Sequence, residues 1–556
     1  MALALMIFGL GAVFAWVLAR HARGRSWIFS RVFAPVCWAR RRWINARVTK
    51  AIAQLNIEHL NPSDVNRSYS PDLGARRDAL LSLERIAQNA VRFDEGGYHV
   101  RVMEVLCAYI QENSPASNAV NFPLPEWTPL HEDATENEKA QHVAWRDVRF
   151  ANRINSNARE WAASLKPLRS DIVLALSIIG RRSDAQRAVE ANWVAEADQT
   201  ERWVFDTPCP VLNTRAKNAP RSVETVEAYK SNLRKWRCTL TAFRGYRPDL
   251  RETNLQAADL SHLVLSGVRL DRARLDGANL SEARLEGSAL RDAQLRGAVL
   301  YRANLNGADL RRACLEGAVL REATLHGAIL RKARAEWANF KEARMDGADL
   351  FEARLEVASF FKAQMAGVIL YHSHMDGAVL KQAKLEAADL RRARLAWATL
   401  RDAQLDGANL GWAQLDGADL GGAQMPNAEL YKAKLRGADL RQAQMARVSL
   451  CRADLKDATS LATANLKGAL LKEIDLTALP LTQAQVDQTF GDTSVILPDG
   501  ITPPPHWPNW DVPIFEPNGS LNQWRTWCMN PDGYTPSQAP NCQAGFEVPF
   551  AVSLAK

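Results

Sequence analysis

Leucine, or less often phenylalanine or methionine, returns at nearly every fifth residue from Leu255 to Leu455, and alanine recurs two positions before it. An α-helix repeats about every 3.6 residues and a β-strand every two, so neither accounts for this spacing. A chain that turns a corner every five residues does account for it, because each segment buries one large and one small side chain. The sequence therefore predicts a solenoid, not an ordinary globular core.

Like residues also recur at a spacing of twenty. Phe340 precedes Phe360 by twenty residues, and Met345 precedes Met365 by the same interval. A coil of twenty residues with four faces stacks these like side chains on one another. Roughly forty pentapeptides then make about ten coils, which at about 4.8 Å per coil form a rod about 50 Å long.

Individual repeats match a known motif in register. Residues 346–350 read Asp-Gly-Ala-Asp-Leu and residues 406–410 read Asp-Gly-Ala-Asn-Leu, which is an A-(D/N)-L-x-x pattern. The periodic region thus resembles the pentapeptide-repeat family, and residues 85–113 and 481–507 look like flanks of its bacterial, membrane-anchored members. The resemblance implies a right-handed quadrilateral β-helix, usually without catalysis. The predicted fold is mainly β: this β-helix (a pentapeptide-repeat solenoid), an N-terminal α-helical domain and one transmembrane helix.

The amino terminus predicts a membrane anchor. Residues 2–19 contain no charged side chain, and about eighteen helical residues span about 27 Å, close to the hydrocarbon thickness of a bilayer. Basic residues are frequent from Arg20 to Lys50, and by the positive-inside rule they stay in the cytoplasm. We therefore expect a single-pass protein of the inner (cytoplasmic) membrane with the bulk of the chain cytoplasmic. A cleaved signal peptide is the alternative, but the flanking features that it requires are absent.

Composition and periodicity divide the chain into five segments. They are a transmembrane helix (1–19), a basic juxtamembrane segment (20–50), an α-helical domain with loops that caps the repeats (51–250), the pentapeptide repeats (251–480) and a Pro/Trp-rich C-terminal tail (481–556).

Helical spacing within the capping domain predicts helices at 73–91, 102–110, 170–179 and 223–243, with Ser170 as an N-cap. The aromatic and basic residues of 27–43 fit either an interfacial segment or a linker. No two of the eight cysteines form a CxxC pair, which indicates reduced, structural thiols.

Charge alternates between successive repeats. From residue 271 to residue 460 the glycine-poor repeats sum to roughly +17 and the glycine-rich repeats to roughly −13. Because alternate repeats lie on opposite faces of a four-sided coil, two faces should be basic and two acidic. The candidate basic face contains Arg311, Arg312, Arg331, Lys332, Arg334, Arg391, Arg392 and Arg394.

This basic face has two interpretations. Arginines interleaved with aromatic residues favour nucleic-acid binding, but the neighbouring acidic faces would repel phosphates. Ladders of ion pairs explain the same residues, each exposed pair contributing about 0 to 1 kcal/mol. Gyrase-protecting members of the resembled family are similar to DNA in shape and negative charge, and a rod with two basic faces is a poor mimic of that kind.

Outward apolar residues suggest a protein-binding strip. Three of them replace a glycine on one face, and three project from the adjacent basic face. The candidate strip contains Trp337, Val357, Trp397, Phe351, Tyr371 and Trp412. The alternatives are tryptophans that lie flat over the coil, or that the C-terminal tail covers.

Chemistry-bearing motifs are scarce. His372 and His374 both project outward, but zinc needs three or four ligands, so we predict no metal, no cofactor and no catalytic residues. The favoured function is a membrane-tethered, non-catalytic scaffold or protein-binding protein with an unknown protein partner. The alternatives are a nucleic-acid-binding protein that acts through the basic face, and an enzyme within the helical region.

Overall fold

The computed structural model describes residues 34–55, 58–60, 69–71, 73–92, 97–123, 135, 137, 155–193, 202–212, 222–458 and 461–538. The chain divides into two compact units, residues 1–105 and residues 106–556.

The first unit is built from helices and one small sheet. Helix α1 spans Ala34–Leu55 and packs against helix α2, Leu73–Arg92. Strands β1 (Glu58–Leu60) and β2 (Tyr69–Pro71) pair antiparallel. The apolar residues that predict a helix at 73–91 form the buried face of α2, as the 3.6-residue period requires. Helix α3, Gly97–Asn113, contains the predicted segment 102–110 and continues into the second unit.

The described residues of the second unit form six more α-helices. They are α4 (Asn155–Ala163), α5 (Ser170–Gly180), α6 (Asp184–Ala191), α7 (Val223–Ala242), α8 (Gln483–Val486) and α9 (Ser520–Met529).

The predicted helices at 170–179 and 223–243 are present as α5 and α7. One cap was wrong: Ser170 is the first residue of α5, and Arg169 holds the N-cap position without a side-chain bond. Helix α6 was not predicted, although Ser183 and Gln186 form a capping box at its start.

In the repeats, each pentapeptide consists of a two-residue turn and a short extended link. The second turn residue has a positive φ, for example 69° at Gly277 and 58° at Arg272. One residue of the link forms a parallel bridge to the residue twenty positions later, as in Asn254 to Arg274 and then Arg274 to Gln294. The twenty-residue repeat predicted from sequence spacing is therefore the period of the bridges, and each coil contains four pentapeptides.

Backbone hydrogen bonds and an apolar interior hold successive coils together. The amide of Leu275 donates to the carbonyl of Gln294 at 2.6 Å, and the amide of Gly277 donates to the carbonyl of Arg296 at 2.9 Å. The inward leucines and alanines are almost completely buried. Phe340 and Phe360 stack with ring centroids 4.9 Å apart, so like residues do lie on one another in neighbouring coils.

The predicted fold class is wrong for the part of the chain that the structure describes. Two turn residues interrupt each run after a single bridging residue, so no β-strand and no sheet forms in the described repeats. The sheet that does form is the pair of β1 and β2, and the regular secondary structure of the described residues is mostly helical. The mainly β fold, a right-handed quadrilateral β-helix, is thus replaced by a stack of coils made of turns and single bridges.

The predicted transmembrane helix and inner-membrane localisation need the same correction. Residues 1–19 and the first part of the basic segment, to residue 33, lie outside the described residues. Among the helices that are described, none is both long enough and apolar enough to cross a bilayer. The single-pass inner-membrane assignment is contradicted by this finding.

The spacing of the bridges changes near residue 460. Gln444 bridges to Asn465 and Ser449 bridges to Leu470, each twenty-one residues later. The bridge from Leu470 to Phe490 spans twenty residues, and the bridge from Asp475 to Ile496 again spans twenty-one. The stack therefore extends past residue 460, and its last coils do not keep a strict twenty-residue period.

Candidate functional site

Stacking aligns the second turn residues of successive coils into four columns along the repeats. Two of these columns contact helices. The glycine column contains Gly267, Gly287, Gly307, Gly327, Gly347, Gly367, Ala387 and Gly407. The tryptophan column contains Gly277, Gly297, Gly317, Trp337, Val357, Gly377, Trp397, Gly417 and Gly437.

Helix α7 lies along the glycine column. A Cβ on Gly347 would meet Leu233 Cδ2 at 2.6 Å, and a Cβ on Gly367 would meet Val226 Cγ1 at 2.6 Å. The twenty residues of α7 span about 30 Å, which matches the roughly 29 Å of six coil steps from Gly287 to Gly407. The helix thus covers the side of the repeats, and the glycines are what let it approach.

The tryptophan column begins under a second helix. A Cβ on Gly297 would meet the Ala162 methyl at 2.9 Å, and Gly317 faces the Ala158 methyl at 3.3 Å. Helix α4 therefore covers the first three positions of this column with small side chains. In the next coil the column changes from glycine to Trp337.

The remaining members of the tryptophan column differ in exposure. Trp397 is 67% exposed, and Trp337 and Val357 are half-buried. The indole of Trp397 lies against the next coil, because a Cβ on Gly417 would meet Trp397 Cε3 at 2.5 Å. All three residues have φ of 58–60°, a region that bulky and β-branched side chains rarely occupy.

A row of carboxylates runs beside the tryptophan column. Glu316 pairs with Arg334 at 2.6 Å, and Glu336 lies 3.1 Å from Arg354. Burial, and then the neighbouring carboxylate, raises the pKa of Glu336 to about 7. The same two causes raise the pKa of Glu356 to about 8. Glu336 and Glu356 therefore hold their protons to higher pH than ordinary glutamates do.

Most residues of the candidate basic face are ion-paired. Arg392 differs, because it lies 3.5 Å from His372 Nε2 and 5.7 Å above the Trp412 ring. The ion pairs are Arg311–Asp309, Arg312–Asp292, Arg331–Asp349, Lys332–Glu352, Arg334–Glu316, Arg391–Asp389 and Arg394–Asp376, at 2.6–3.2 Å.

Phe351 and Tyr371 form a closed stack with arginines. Their rings lie 5.7 Å apart. The guanidinium of Arg331 lies 5.7 Å from the Phe351 ring, and that of Arg391 lies 5.3 Å from the Tyr371 ring. These cation–π contacts use both outer ring faces, so the two aromatics are engaged within the repeats.

Trp412 faces the C-terminal tail. Its ring contacts Tyr431 edge-on at 4.9 Å, and Tyr431 contacts Phe515 of the tail at 5.8 Å. Between the repeats and helix α9 lies a groove of about 650 Å³, here called the tail groove. Its wall includes Trp524 and Met529, which the sequence analysis did not single out for binding. For Trp524 the signal is the clustering of tryptophan in residues 507–527.

The predicted strip is thus three separate features. Trp337, Val357 and Trp397 share the tryptophan column, Phe351 and Tyr371 belong to the arginine stack, and Trp412 lines the tail groove.

His374 does not gather metal ligands. Its Nδ1 lies 3.8 Å from Glu356 Oε1, and burial, with help from Arg394 and Arg354, lowers the pKa of its imidazole to about 4. Within the described residues, no group of three or more His, Cys, Asp or Glu side chains is placed to hold a metal ion.

Comparison with known proteins finds a family match in the repeat region. A family model described as pentapeptide repeats matches in 8 copies, over residues 249–287, 278–317, 318–356, 358–395, 393–430 and 428–459. No curated protein matches the chain. Members of this family are generally non-catalytic.

Several solved structures are similar. HetL, a pentapeptide repeat protein involved in heterocyst differentiation regulation from the cyanobacterium Nostoc sp. strain PCC 7120, is 36% identical over 38% of this chain and 89% of its own, with a TM-score of 0.23. A pentapeptide repeat protein from the Arabidopsis thaliana thylakoid lumen is 29% identical over 20% and 67%, with a TM-score of 0.14. QnrB1, a plasmid-mediated fluoroquinolone resistance protein, is 18% identical over 38% and 87%, with a TM-score of 0.25. On the family match and its identity to HetL, this chain belongs to the pentapeptide-repeat family.

Proposed function

We propose that this protein is a non-catalytic protein-binding protein, and that it binds an amphipathic helix of a partner protein along the exposed part of the tryptophan column. One observation carries the proposal: helix α4 already occupies the first three positions of this same column. The same column continues beyond α4 into later coils, where Trp397 is 67% exposed and no described residue lies within 4 Å of the Cβ position at Gly437.

Helix α7 on the glycine column supports the choice of occupant. Two columns of this repeat already carry helices, and in both cases glycine or small side chains let the helix approach closely. Further along the tryptophan column, Trp397 supplies a large exposed apolar anchor of the kind that dominates binding energies.

The side of the coils that follows the tryptophan column also suits an apolar partner. Its outward bridging residues are uncharged and half-buried over five successive coils. They are Val319, Asn339, Ser359, Val379 and Thr399. On this side of the column, a partner helix would therefore desolvate few charges.

The nucleic-acid alternative has less support. Seven of the eight residues of the candidate basic face are bound to carboxylates, so each would have to break an ion pair to contact a phosphate. Phosphate binding in the usual manner releases counterions from the nucleic acid through unpaired cations.

Site-specific photocrosslinking tests the protein-binding proposal. A photoreactive phenylalanine analogue at position 397 should capture a partner in cells, with the crosslink mapped by mass spectrometry to a helical segment of that partner. The matched control is the same analogue at position 362, where Lys362 is also an exposed second turn residue with positive φ.

The captured segment is then synthesised and titrated against purified protein. We expect Trp397→Arg to weaken its binding at least tenfold, because a large apolar anchor is lost and a charge is introduced. Equal capture at positions 397 and 362, or unchanged affinity of Trp397→Arg, would show that the tryptophan column is not the binding surface.

A further inference from the structure

The tail groove lies at the end of an otherwise filled row of side chains. The first turn residues of successive coils, Arg331, Phe351, Tyr371 and Arg391, stack on one another. The next residue in this row is Gly411, and the one after it is Tyr431. Because Gly411 has no side chain, the row is interrupted there, and the gap forms part of the groove.

Aromatic rings wall the groove and are held in place. Trp412 and Phe515 both contact Tyr431 edge-on, with interplanar angles of 81° and 69°. The Trp524 indole donates its N–H to the carbonyl of Gly468 at 2.7 Å, which fixes that side chain across from the repeats. A groove of about 650 Å³ falls within the range of roughly 300 to 1,000 Å³ that is usual for small-molecule sites.

The charged side chains at the groove differ in whether they have a bonding partner among the described residues. Glu429 accepts a hydrogen bond from Asn409 Nδ2 at 2.6 Å. Arg452, close to the groove, is paired with Glu473 at 2.6 Å. Arg447 and Arg525 also line the groove, and in the described part of the chain neither forms an ion pair. Two guanidinium groups therefore remain available to an anion, in contrast to the paired arginines of the repeats.

The thiols in the groove do not suggest covalent chemistry. Burial raises the pKa of Cys451 to about 11, and burial also raises the pKa of Cys528. Both thiols stay protonated at neutral pH and are poor nucleophiles. The lining of the groove therefore suits a ligand that binds reversibly, without a covalent bond.

We propose that the tail groove binds a small organic carboxylate with a planar apolar body. The planar body lies among Trp412, Tyr431 and Phe515, where stacking and edge contacts stabilise an aromatic ring. The carboxylate accepts hydrogen bonds from Arg447 and Arg525, whose guanidinium groups match its geometry. This site is independent of the tryptophan column and of any partner that binds there.

Calorimetric titration of the full chain with naphthoate tests the proposal. Naphthylmethylamine is the control ligand, because it has the same aromatic ring system and carries a positive charge instead of a negative one. We expect naphthoate to bind and naphthylmethylamine to bind at least tenfold more weakly. Arg447→Gln combined with Arg525→Gln should weaken naphthoate binding at least tenfold. Arg344→Gln, at an exposed arginine in another part of the repeats, should leave it unchanged.

Gly411→Tyr tests the location of the site. Tyr371 and Tyr431 occupy the same row, so the coil accepts this side chain, and the added ring should fill the gap and abolish naphthoate binding. Phe515→Ala should weaken binding without touching the repeats, which keeps the test valid if Gly411→Tyr does not fold. Equal binding of the two probes, no binding of naphthoate to the intact protein, or full binding by the Phe515→Ala and arginine variants would each overturn the proposal.

Discussion

At the scale of single residues, the second turn residue adopts a positive φ whatever its side chain. Arg312 has φ of 57° and Gly317 has φ of 67°, although the left-handed region costs most side chains roughly 1 kcal/mol or more. Glycine is therefore not required by the turn alone. Under helices α4 and α7 packing favours glycine as well, since at most of these positions a Cβ would collide with the covering helix; Ala387 is the exception in the glycine column.

Gly347→Ala and Gly437→Ala separate these two effects. Both glycines have φ near 65°, so both substitutions should cost roughly 1 kcal/mol of backbone strain. Gly347 lies under Leu233, whereas nothing lies within 4 Å of the Cβ position at Gly437. We expect Gly347→Ala to destabilise by a further 1 to 3 kcal/mol or so from overpacking.

Chemical denaturation measures both costs, and proteolysis within α7 reports release of the helix. Only Gly347→Ala should increase cleavage within α7. Equal effects of the two substitutions would mean that the glycine column reflects the turn and not the helix above it.

At the scale of elements, helices cover two sides of the repeats, and the largely buried carboxylate row lies beside the tryptophan column. Amphipathic spacing predicts that α7 has an apolar face, but it cannot say what that face covers. Apolar contact is non-directional, so the same face would suit the end of the coil or its side. Leu233 and Trp236 contact the glycine column, so the apolar face of α7 covers the side of the coils.

The carboxylate row predicts a pH dependence. Glu356 has a folded-state pKa of about 8, raised by burial and then by Glu336, against an ordinary value near 4.5 in the unfolded chain. Stability from this group is fully present below the unfolded pKa, and it is lost as pH rises through the folded pKa, because the folded state then gives up a proton that it binds more tightly. The repeats should therefore lose stability between about pH 5 and pH 8.

Glu356→Gln should flatten that dependence, since the amide carries no titrating proton and Arg354 keeps Glu336 as a partner. Denaturation midpoints at pH 5 and pH 8 measure the effect, and Glu342→Gln, at a more exposed glutamate, is the control. If wild type and Glu356→Gln lose stability in parallel, the carboxylate does not titrate in this range.

At the scale of the whole second unit, both ends of the stack are covered. At the first coil Pro115 bridges to Thr253, and the amide of Val264 donates to the carbonyl of Gly180. At the last coil the Trp507 indole N–H donates to the carbonyl of Thr489. Covered ends hinder extension of the stack by another chain, which favours the sides as the surfaces that partners reach.

A buried ion pair ties the tail to the last coils. Lys472 and Asp492 are each 1% exposed and lie 2.8 Å apart. Lys472 also contacts Asp511, and Asp492 accepts a hydrogen bond from the amide of Val512 at 3.0 Å. Lys472→Met should destabilise the tail by about 3 to 5 kcal/mol, because it leaves a buried carboxylate without its partner.

Limited proteolysis of the tail measures that loss. The variant Lys472→Met, Asp492→Leu, which removes both charges, should recover much of the resistance, since a buried pair replaced by apolar residues is often tolerated. A tail that stays resistant in Lys472→Met would show that Phe490 and Trp527 hold it without the ion pair.

The sequence by itself determined the five-residue period, the twenty-residue coil, the family and four helices of the described region (α2, α3, α5 and α7), because these depend on side chains at fixed spacing along the chain. It did not determine the secondary structure of the repeats, which was predicted as β-helix and consists of turns and single bridges. One bridging residue between two turns is too short a run to form a strand, and periodicity alone does not reveal that.

Only the tertiary structure decided which outward residues act together. Trp397 and Trp412 belong to one strip in the sequence, yet one lies on an open column and the other faces the tail. Likewise Arg311 and Arg331 suggest a basic patch until their carboxylate partners, Asp309 and Asp349, are seen beside them. Ion pairs and helix contacts join residues distant in sequence, and only folding brings them within reach.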